Sequence, residues 1–206
     1  MATVLLIRHG QNDFFKKHKL PGRLPGVHLN EAGRAEATAL AAALKNTKLK
    51  TVYSSPLDRA VETARPIAAA HGLKVIKREG LIETLLGEWE GMSITSLNRR
   101  KDWKTLQEHP SRFQFPGGEW IVEQQARLVA EIEALCARHK PKDVFACVGH
   151  ADPIKLIIAY YAGMALDHFQ RLVVDTGSVS TLALGERGAR LVQLNWKPEK
   201  NTEKKN

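Results

Sequence analysis

Val4-Leu5-Leu6-Ile7 is an unbroken aliphatic run that stops abruptly at Arg8, His9 and Gly10. A run this short, with two β-branched members, fits a strand buried on both faces, the kind found in parallel sheets covered by helices on each side. It therefore points to an α/β fold, and in open sheets of that type ligands bind just beyond the carboxyl ends of the strands. Histidine offers a nitrogen nucleophile near neutral pH, the adjacent guanidinium holds an anion in a fixed fork, and glycine lets the backbone turn tightly beside them. On three residues alone, a chance polar pair at a strand end is the commoner arrangement. The rest of the chain decides whether His9 has partners.

At 206 residues the chain is long enough for one well-buried core, and the expectation is a single domain over residues 1–196 followed by a flexible basic tail, 197–206. Hydrophobic content of 43% and charged content of 26% are ordinary for a globular protein. No apolar stretch approaches the length needed to span a bilayer and no signal pattern precedes the first strand, so a cytoplasmic protein without membrane contact is expected. The two cysteines, Cys136 and Cys147, fall in a helical and a strand pattern and read as lone thiols rather than a disulfide framework. A net charge of +9 raises the question of nucleic acid. Four lysines and two glutamates in the tail account for +2 of it, the rest is scattered, and there is neither zinc-finger spacing nor an aromatic-rich binding strand. Such a surface is better read as steering small anions than as binding nucleic acid.

After His9 comes a long polar loop, residues 11–30, with Pro21-Gly22 and Pro25-Gly26 as turn signals. Asn30 is a good N-cap for an alanine-rich helix running to Lys45. Thr51-Val52-Tyr53 reads as a second strand ending in Ser54-Ser55-Pro56, with Pro56 in the first turn of a helix that carries Asp58, Arg59, Glu62 and Thr63. A third strand is expected at Leu73 to Ile76, leading to Glu83 and Gly87-Glu88-Trp89-Glu90-Gly91. The irregular stretch 92–118 reads as a small inserted subdomain or lid. Glu119 to His139 is helical by periodicity, and Asp143 to Val148 is an apolar strand ending in Gly149-His150, with Pro153 opening the next helix. Val179 to Leu184 and Ala189 to Leu194 read as a hairpin at a sheet edge.

Three strand-to-loop junctions thus carry one chemical theme: Arg8 with His9, Arg59 after Ser54-Ser55-Pro56, and His150 after Val148-Gly149. The ends of parallel strands point the same way, so these residues can converge although they are far apart in the chain. Here the sequence resembles the histidine phosphatase superfamily, the group containing cofactor-dependent phosphoglycerate mutases and their phosphatase relatives. The matching stretches, in order, are Arg8-His9-Gly10, Leu20-Pro21-Gly22-Arg23, Leu29-Asn30-Glu31-Ala32-Gly33, Ser54-Ser55-Pro56-Leu57-Asp58-Arg59-Ala60, Glu83 with Gly87-Glu88-Trp89-Glu90-Gly91, Pro116-Gly117-Gly118-Glu119, and Gly149-His150-Ala151.

The resemblance implies a three-layer α/β/α sandwich around a mostly parallel sheet. It implies that His9 forms a phosphohistidine, which water or a second acceptor discharges. His9 must then be neutral with its attacking nitrogen bare, as a backbone carbonyl on the other ring nitrogen would arrange. Arg8, Arg59 and His150 would surround the phosphoryl oxygens with the Ala151 amide as a further donor. Apart from the resemblance, Arg23, Lys16, Lys17 and His18 are candidates for the substrate's remote end, a mobile solvated loop being the commoner arrangement for such residues. Glu83 matches the position that protonates the leaving oxygen, a role needing a raised pKa, which the arginines oppose and a bound phosphate dianion favours. Positive charge and positioning carry such a reaction, so neither a metal nor another cofactor is implied.

Two positions depart from the family pattern: Gln11 stands where many members carry an acidic residue, and Phe15 where many carry asparagine. Phe14 and Phe15 would either wall the pocket or pack beneath the loop. The segment between Gly91 and Pro116 is short for a mutase, which favours a metal-independent phosphatase of a small phosphorylated metabolite. A phosphomutase is the first alternative, and a weakly active phosphate-binding or regulatory protein, motivated by Gln11 and Phe15, the second. A homodimer is compatible with the sequence.

Overall fold

The computed structural model describes residues 2–186 and 188–198. Six strands, β1 (Ala2–Arg8), β2 (Leu49–Ser54), β3 (Val75–Lys77), β4 (Val144–Gly149), β5 (Val179–Gly185) and β6 (Gly188–Trp196), form one sheet in the order β3-β2-β4-β1-β5-β6. The first four in that order are parallel, whereas β5 runs antiparallel to β1 and pairs with β6 in an edge hairpin. Helices α1 (Asp13–Lys16), α2 (Glu31–Leu44), α3 (Asp58–Ala70), α4 (Ile94–Leu97), α5 (Lys101–Glu108), α6 (Ile121–Cys136) and α7 (Ala151–Tyr161) fill the connections.

The aliphatic run of β1 sets the layering. Val4 and Leu6 join the core shared with α6 and α7, among them Leu128, Ile132, Ile154 and Ile157. Leu5 and Ile7 point the other way, into the core shared with α2 and α3, where Leu40, Ala64 and Ile67 lie. Each such side chain contributes roughly 1.5–3 kcal/mol on full burial, so a register slip by one residue would exchange the two sets and gain nothing.

Register also brings the strand ends level. Arg8 lies opposite Gly149, and Ser54 opposite Val148. The ladder continues for one more residue on each side: the His9 amide donates to the Gly149 carbonyl at 2.9 Å, and the Ser55 amide to Val148 at 2.8 Å. Residues 8–9, 55 and 150 are thereby fixed at one rim of the sheet.

Element boundaries differ from the sequence reading in instructive ways. α7 begins at Ala151 with His150 as its N-cap, so Pro153 sits within the first turn, where a missing N–H costs no helical hydrogen bond. α3 starts at Asp58 behind an extended Leu57, leaving Pro56 in the preceding loop, and β3 is Val75–Lys77 rather than Leu73 to Ile76. Stretch 92–118 folds as α4, α5 and a single 3₁₀ turn, Pro110–Arg112. It has no core of its own: Leu97, Leu106, Phe113 and Phe115 are buried in the same cluster as α6 and α7. Trp89 anchors them, fully buried with its ring centroid 5.4 Å from both phenylalanines. Trp120, by contrast, is 38% exposed. At the carboxyl end Lys197 pairs with Glu36 at 3.1 Å, while tail residues 199–206 lie outside the described residues. No helix among the described residues is long and apolar enough to cross a membrane.

Candidate active site

Beyond β1 the chain turns at Gly10 because nothing larger fits: a Cβ there would stand 2.5 Å from the Gly33 carbonyl oxygen, and one on Gly33 would stand 2.0 Å from the Gln11 oxygen. Two glycines from separate motifs thus let the first turn of α2 press on the loop after His9. Asn30 caps that turn by accepting from the Gly33 amide. On the other side the Gly10 amide donates to Thr63 Oγ1 at 3.0 Å, tying the loop to α3.

The Gly10 carbonyl lies 2.7 Å from His9 Nδ1. A carbonyl oxygen only accepts, so Nδ1 carries the ring proton and Nε2 presents its lone pair. Nε2 receives one hydrogen bond, from Arg59 Nε at 3.3 Å. Burial pushes the His9 pKa well below its ordinary value, and the Arg59 and Arg8 guanidiniums push it further. His9 is therefore a neutral, oriented imidazole at pH 7.

Arg59 is fully buried, with Nη2 donating to the Gly22 carbonyl at 2.8 Å and lying 3.9 Å from Glu83 Oε2. His150 is equally buried, its ring 5.2 Å from that of His9 and its Nε2 held 2.8 Å from Ser55 Oγ. Desolvation, followed by Arg59, His9 and Arg8, lowers its pKa well below the usual value, although Glu83 Oε2 lies only 3.6 Å from Nδ1. Arg8 donates through Nη1 to Val174 and lies 5.4 Å from the Phe15 ring centroid. Arg8 Nε, Arg59 Nη1 and His150 Nδ1 are buried without a protein hydrogen-bond partner. Three unsatisfied donors or donor-capable nitrogens around one unprotonated imidazole nitrogen make a cradle for a tetrahedral oxyanion. The amino end of α7, where Ala151 follows His150, adds a favourable dipole.

Glu83 accepts from the Thr84 amide at 2.9 Å and from Thr84 Oγ1, which Gln124 in turn holds at 2.6 Å. Burial raises the Glu83 pKa against the opposing pull of Arg59, and Asp152 adds to the rise, which favours the protonated carboxyl that a proton donor needs. The loop carrying it is clamped through Glu119. That carboxylate accepts from the Leu85 amide, Arg23 and Arg127. Arg127 also donates to Gly80 and Ile82, and Arg23 Nε donates to the Glu83 carbonyl at 2.7 Å.

The structure brings His9, Arg8, Arg59, His150 and Glu83 together, with Ala151 on the wall of the same cavity. It does not bring Arg23 there: its guanidinium is spent on Glu83 and Glu119, making it a brace for the Glu83 loop instead of a reader of the substrate's remote end. Gln11 likewise turns away, its side chain accepting from Asn30 and its amide donating to Glu36. Ser55, Thr63, Gln124 and the Glu119–Arg127 pair are the contributors that sequence reasoning passed over. Ser55 and Glu119 lay inside the quoted motifs, but nothing in a motif tells a bracing group from a packing one. Among the described residues no group of three His, Cys, Asp or Glu side chains gathers as a metal site.

The two imidazoles impose a pH dependence on stability. Below about pH 6.5 the unfolded chain protonates its histidines while His9 and His150 stay neutral, so stability falls as pH falls, by up to about 1.4 kcal/mol per pH unit for each. Glu83, with its raised pKa, binds a proton more readily folded than unfolded and offsets part of that decline. Glu83→Gln should therefore show a steeper loss of thermal stability as pH falls from 7 towards the ordinary carboxylate range than the wild type. An identical slope would remove Glu83 from the coupled group.

The chain matches the family model described as histidine phosphatase superfamily (branch 1) over residues 4–197. It is 30% identical over 197 residues to Phosphoserine phosphatase 1 of Hydrogenobacter thermophilus, covering 95% of this chain and 92% of that one. Among solved structures, a phosphoserine phosphatase mutant of Entamoeba histolytica in complex with phosphoserine superimposes with a TM-score of 0.86 at 26% identity, over 95% of this chain and 97% of that one. A mycobacterial glucosyl-3-phosphoglycerate phosphatase complexed with VO3 does so with a TM-score of 0.85 at 25% identity, over 94% and 98%. With a six-stranded sheet of this topology and an imidazole pair at its rim, the chain belongs to the histidine phosphatase superfamily.

Proposed function

We propose that this protein is a phosphatase that hydrolyses a small phosphomonoester through a phosphohistidine on His9, without a metal ion. The observation that carries the reading is the His9 ring itself: Nδ1 committed to the Gly10 carbonyl, Nε2 unprotonated with the Arg59 Nε hydrogen bond as its one partner, and two guanidiniums beside it. In the first step the N–P bond forms at Nε2 as the ester P–O bond breaks, and the Glu83 carboxyl proton passes to the leaving oxygen. In the second, water attacks phosphorus and gives its proton to the Glu83 carboxylate, the N–P bond breaks, and inorganic phosphate leaves.

Phosphate oxygens must compete for Arg59 Nε, which otherwise bonds the nucleophile. That exchange frees Nε2 only when an anion is seated. Charge spread over the equatorial oxygens in the transition state is met by Arg8 and Arg59, groups fixed beforehand by Val174 and Gly22. The relatives' names differ in substrate, so they indicate the reaction class and leave the alcohol open.

The test is a leaving-group comparison, run in chelator and without any bisphosphorylated primer. A general acid matters for a poor leaving group and little for a good one. Glu83→Gln should lower turnover of an alkyl phosphate on the order of 10²–10⁴-fold, and that of p-nitrophenyl phosphate by less than about tenfold. Equal losses on both esters would take the proton-donor role from Glu83. A requirement for the primer would make the protein a mutase.

A further inference from the structure

The cavity above His9 has a volume of about 330 Å³, more than a phosphoryl group fills and within the range of small-molecule sites. Its floor is Arg8, His9, Glu83 and Ala151. Much of the remaining wall is apolar: Leu86, Ile94, Trp103, Leu106 and Phe115, with Phe15 at the loop side. Stretch 92–118, which supplies four of these, is rich in cations, yet Arg99, Arg100, Lys101, Lys104 and Arg112 all stay off the cavity lining.

Of the polar groups that reach the wall, Gln107 is exposed and free to turn to water, and the others are largely occupied. Asn12 accepts from the Phe15 amide, and Thr84 is shared between Gln124 and Glu83. Asp152 and Gln170 both hold the Lys155 ammonium, at 3.2 and 3.0 Å. A substrate ammonium or carboxylate placed here would lose its hydration and find few partners in return. An aliphatic or aromatic group would lose only water. His18 and Lys19, which also line the cavity, are exposed residues at its loop rim rather than buried partners.

We infer that this wall is a leaving-group subsite, and that the preferred substrates are phosphomonoesters of alcohols or phenols with an apolar body. The inference rests on reading the His9 cluster as the phosphoryl site. Trp103 and Ile94, both partly exposed, are its specificity-determining residues.

Binding of non-hydrolysable n-alkylphosphonates to the full chain, measured by calorimetry, tests this apart from turnover. Ethyl to pentyl homologues should tighten by up to about fourfold per methylene, the equivalent of about 0.8 kcal/mol per buried CH₂. 2-Aminoethylphosphonate and 2-carboxyethylphosphonate, similar in length to propylphosphonate, should bind at least about tenfold more weakly than it does. Trp103→Ala should flatten the chain-length series. Ile94→Asn, on the edge of the wall, gives the same reading if the tryptophan variant fails to fold. Binding that does not improve with length, or that favours either charged analogue, overturns the subsite. Graded binding without hydrolysis of p-nitrophenyl phosphate would keep the subsite and defeat the phosphatase reading; hydrolysis with flat binding would do the reverse.

Discussion

His9→Ala is expected to reduce hydrolysis of any phosphomonoester by about 10⁴-fold or more, the scale on which removal of a covalent nucleophile acts. Its neighbours are held in other roles. His150 holds its Nε2 against Ser55 and is fully buried, and Glu83 is directed by Thr84. Anion binding should largely survive, because Arg8, Arg59 and His150 remain in place. The measurement is steady-state turnover together with the phosphoenzyme formed from a labelled substrate, trapped by rapid alkaline quenching and then tested for loss in acid. The wild type should yield an acid-labile, base-stable adduct that the variant lacks. A variant retaining a tenth of the activity, or an adduct of unchanged amount, would remove His9 from the chemistry.

Arg59→Met should lower kcat/KM by about 10³-fold, the lower end of what a transition-state arginine supplies in phosphoryl transfer, while leaving stability within about 2 kcal/mol of the wild type. The asymmetry follows from the surroundings of the guanidinium. It is buried in full, burial lowers its pKa, Arg8 repels it, and the nearest carboxylate oxygen is 3.9 Å away. Taking a charge so weakly compensated out of water is costly, so an apolar chain of similar length recovers part of what is lost when the Gly22 carbonyl gives up its donor. Removing one partner of a tight buried pair would instead cost about 3–5 kcal/mol. Vanadate or phosphate should raise the thermal midpoint of the wild type much more than that of the variant, since ligand stabilisation scales with affinity. A variant that unfolds readily yet keeps its turnover would mark Arg59 as a structural residue.

Much of this site can be read from the chain because its members sit at strand ends. Val4 to Ile7 needs two covered faces, and the strand-like runs before Ser54 and Gly149 need the same sheet, so Arg8, His9, Ser55 and His150 follow to one rim. Arg59 follows too, one residue into the helix after β2. Arg23 illustrates the opposite case. Its motif is as clear as the others, but whether a loop arginine meets substrate or a carboxylate depends on where residues 83 and 119 arrive, and local sequence holds no record of that. Stretch 92–118 is similar: its irregular pattern reads as an insertion, yet Trp89 gives Leu97, Leu106, Phe113 and Phe115 a shared core to join.

The amino-acid sequence by itself determined the layered α/β architecture and the convergence of two imidazoles and two guanidiniums, because hydrophobic period and strand polarity are local properties that fix direction and face. Only the tertiary structure decided which nitrogen of His9 is free, what holds Glu83 and what kind of surface faces the leaving group. The contacts to His9 Nδ1 and Glu83 Oε1 come from the adjacent Gly10 and Thr84, but the turn that presents the Gly10 carbonyl, the Arg23 and Gln124 supports of the Glu83 loop and the cavity wall depend on residues far apart in the chain, brought together by its closure.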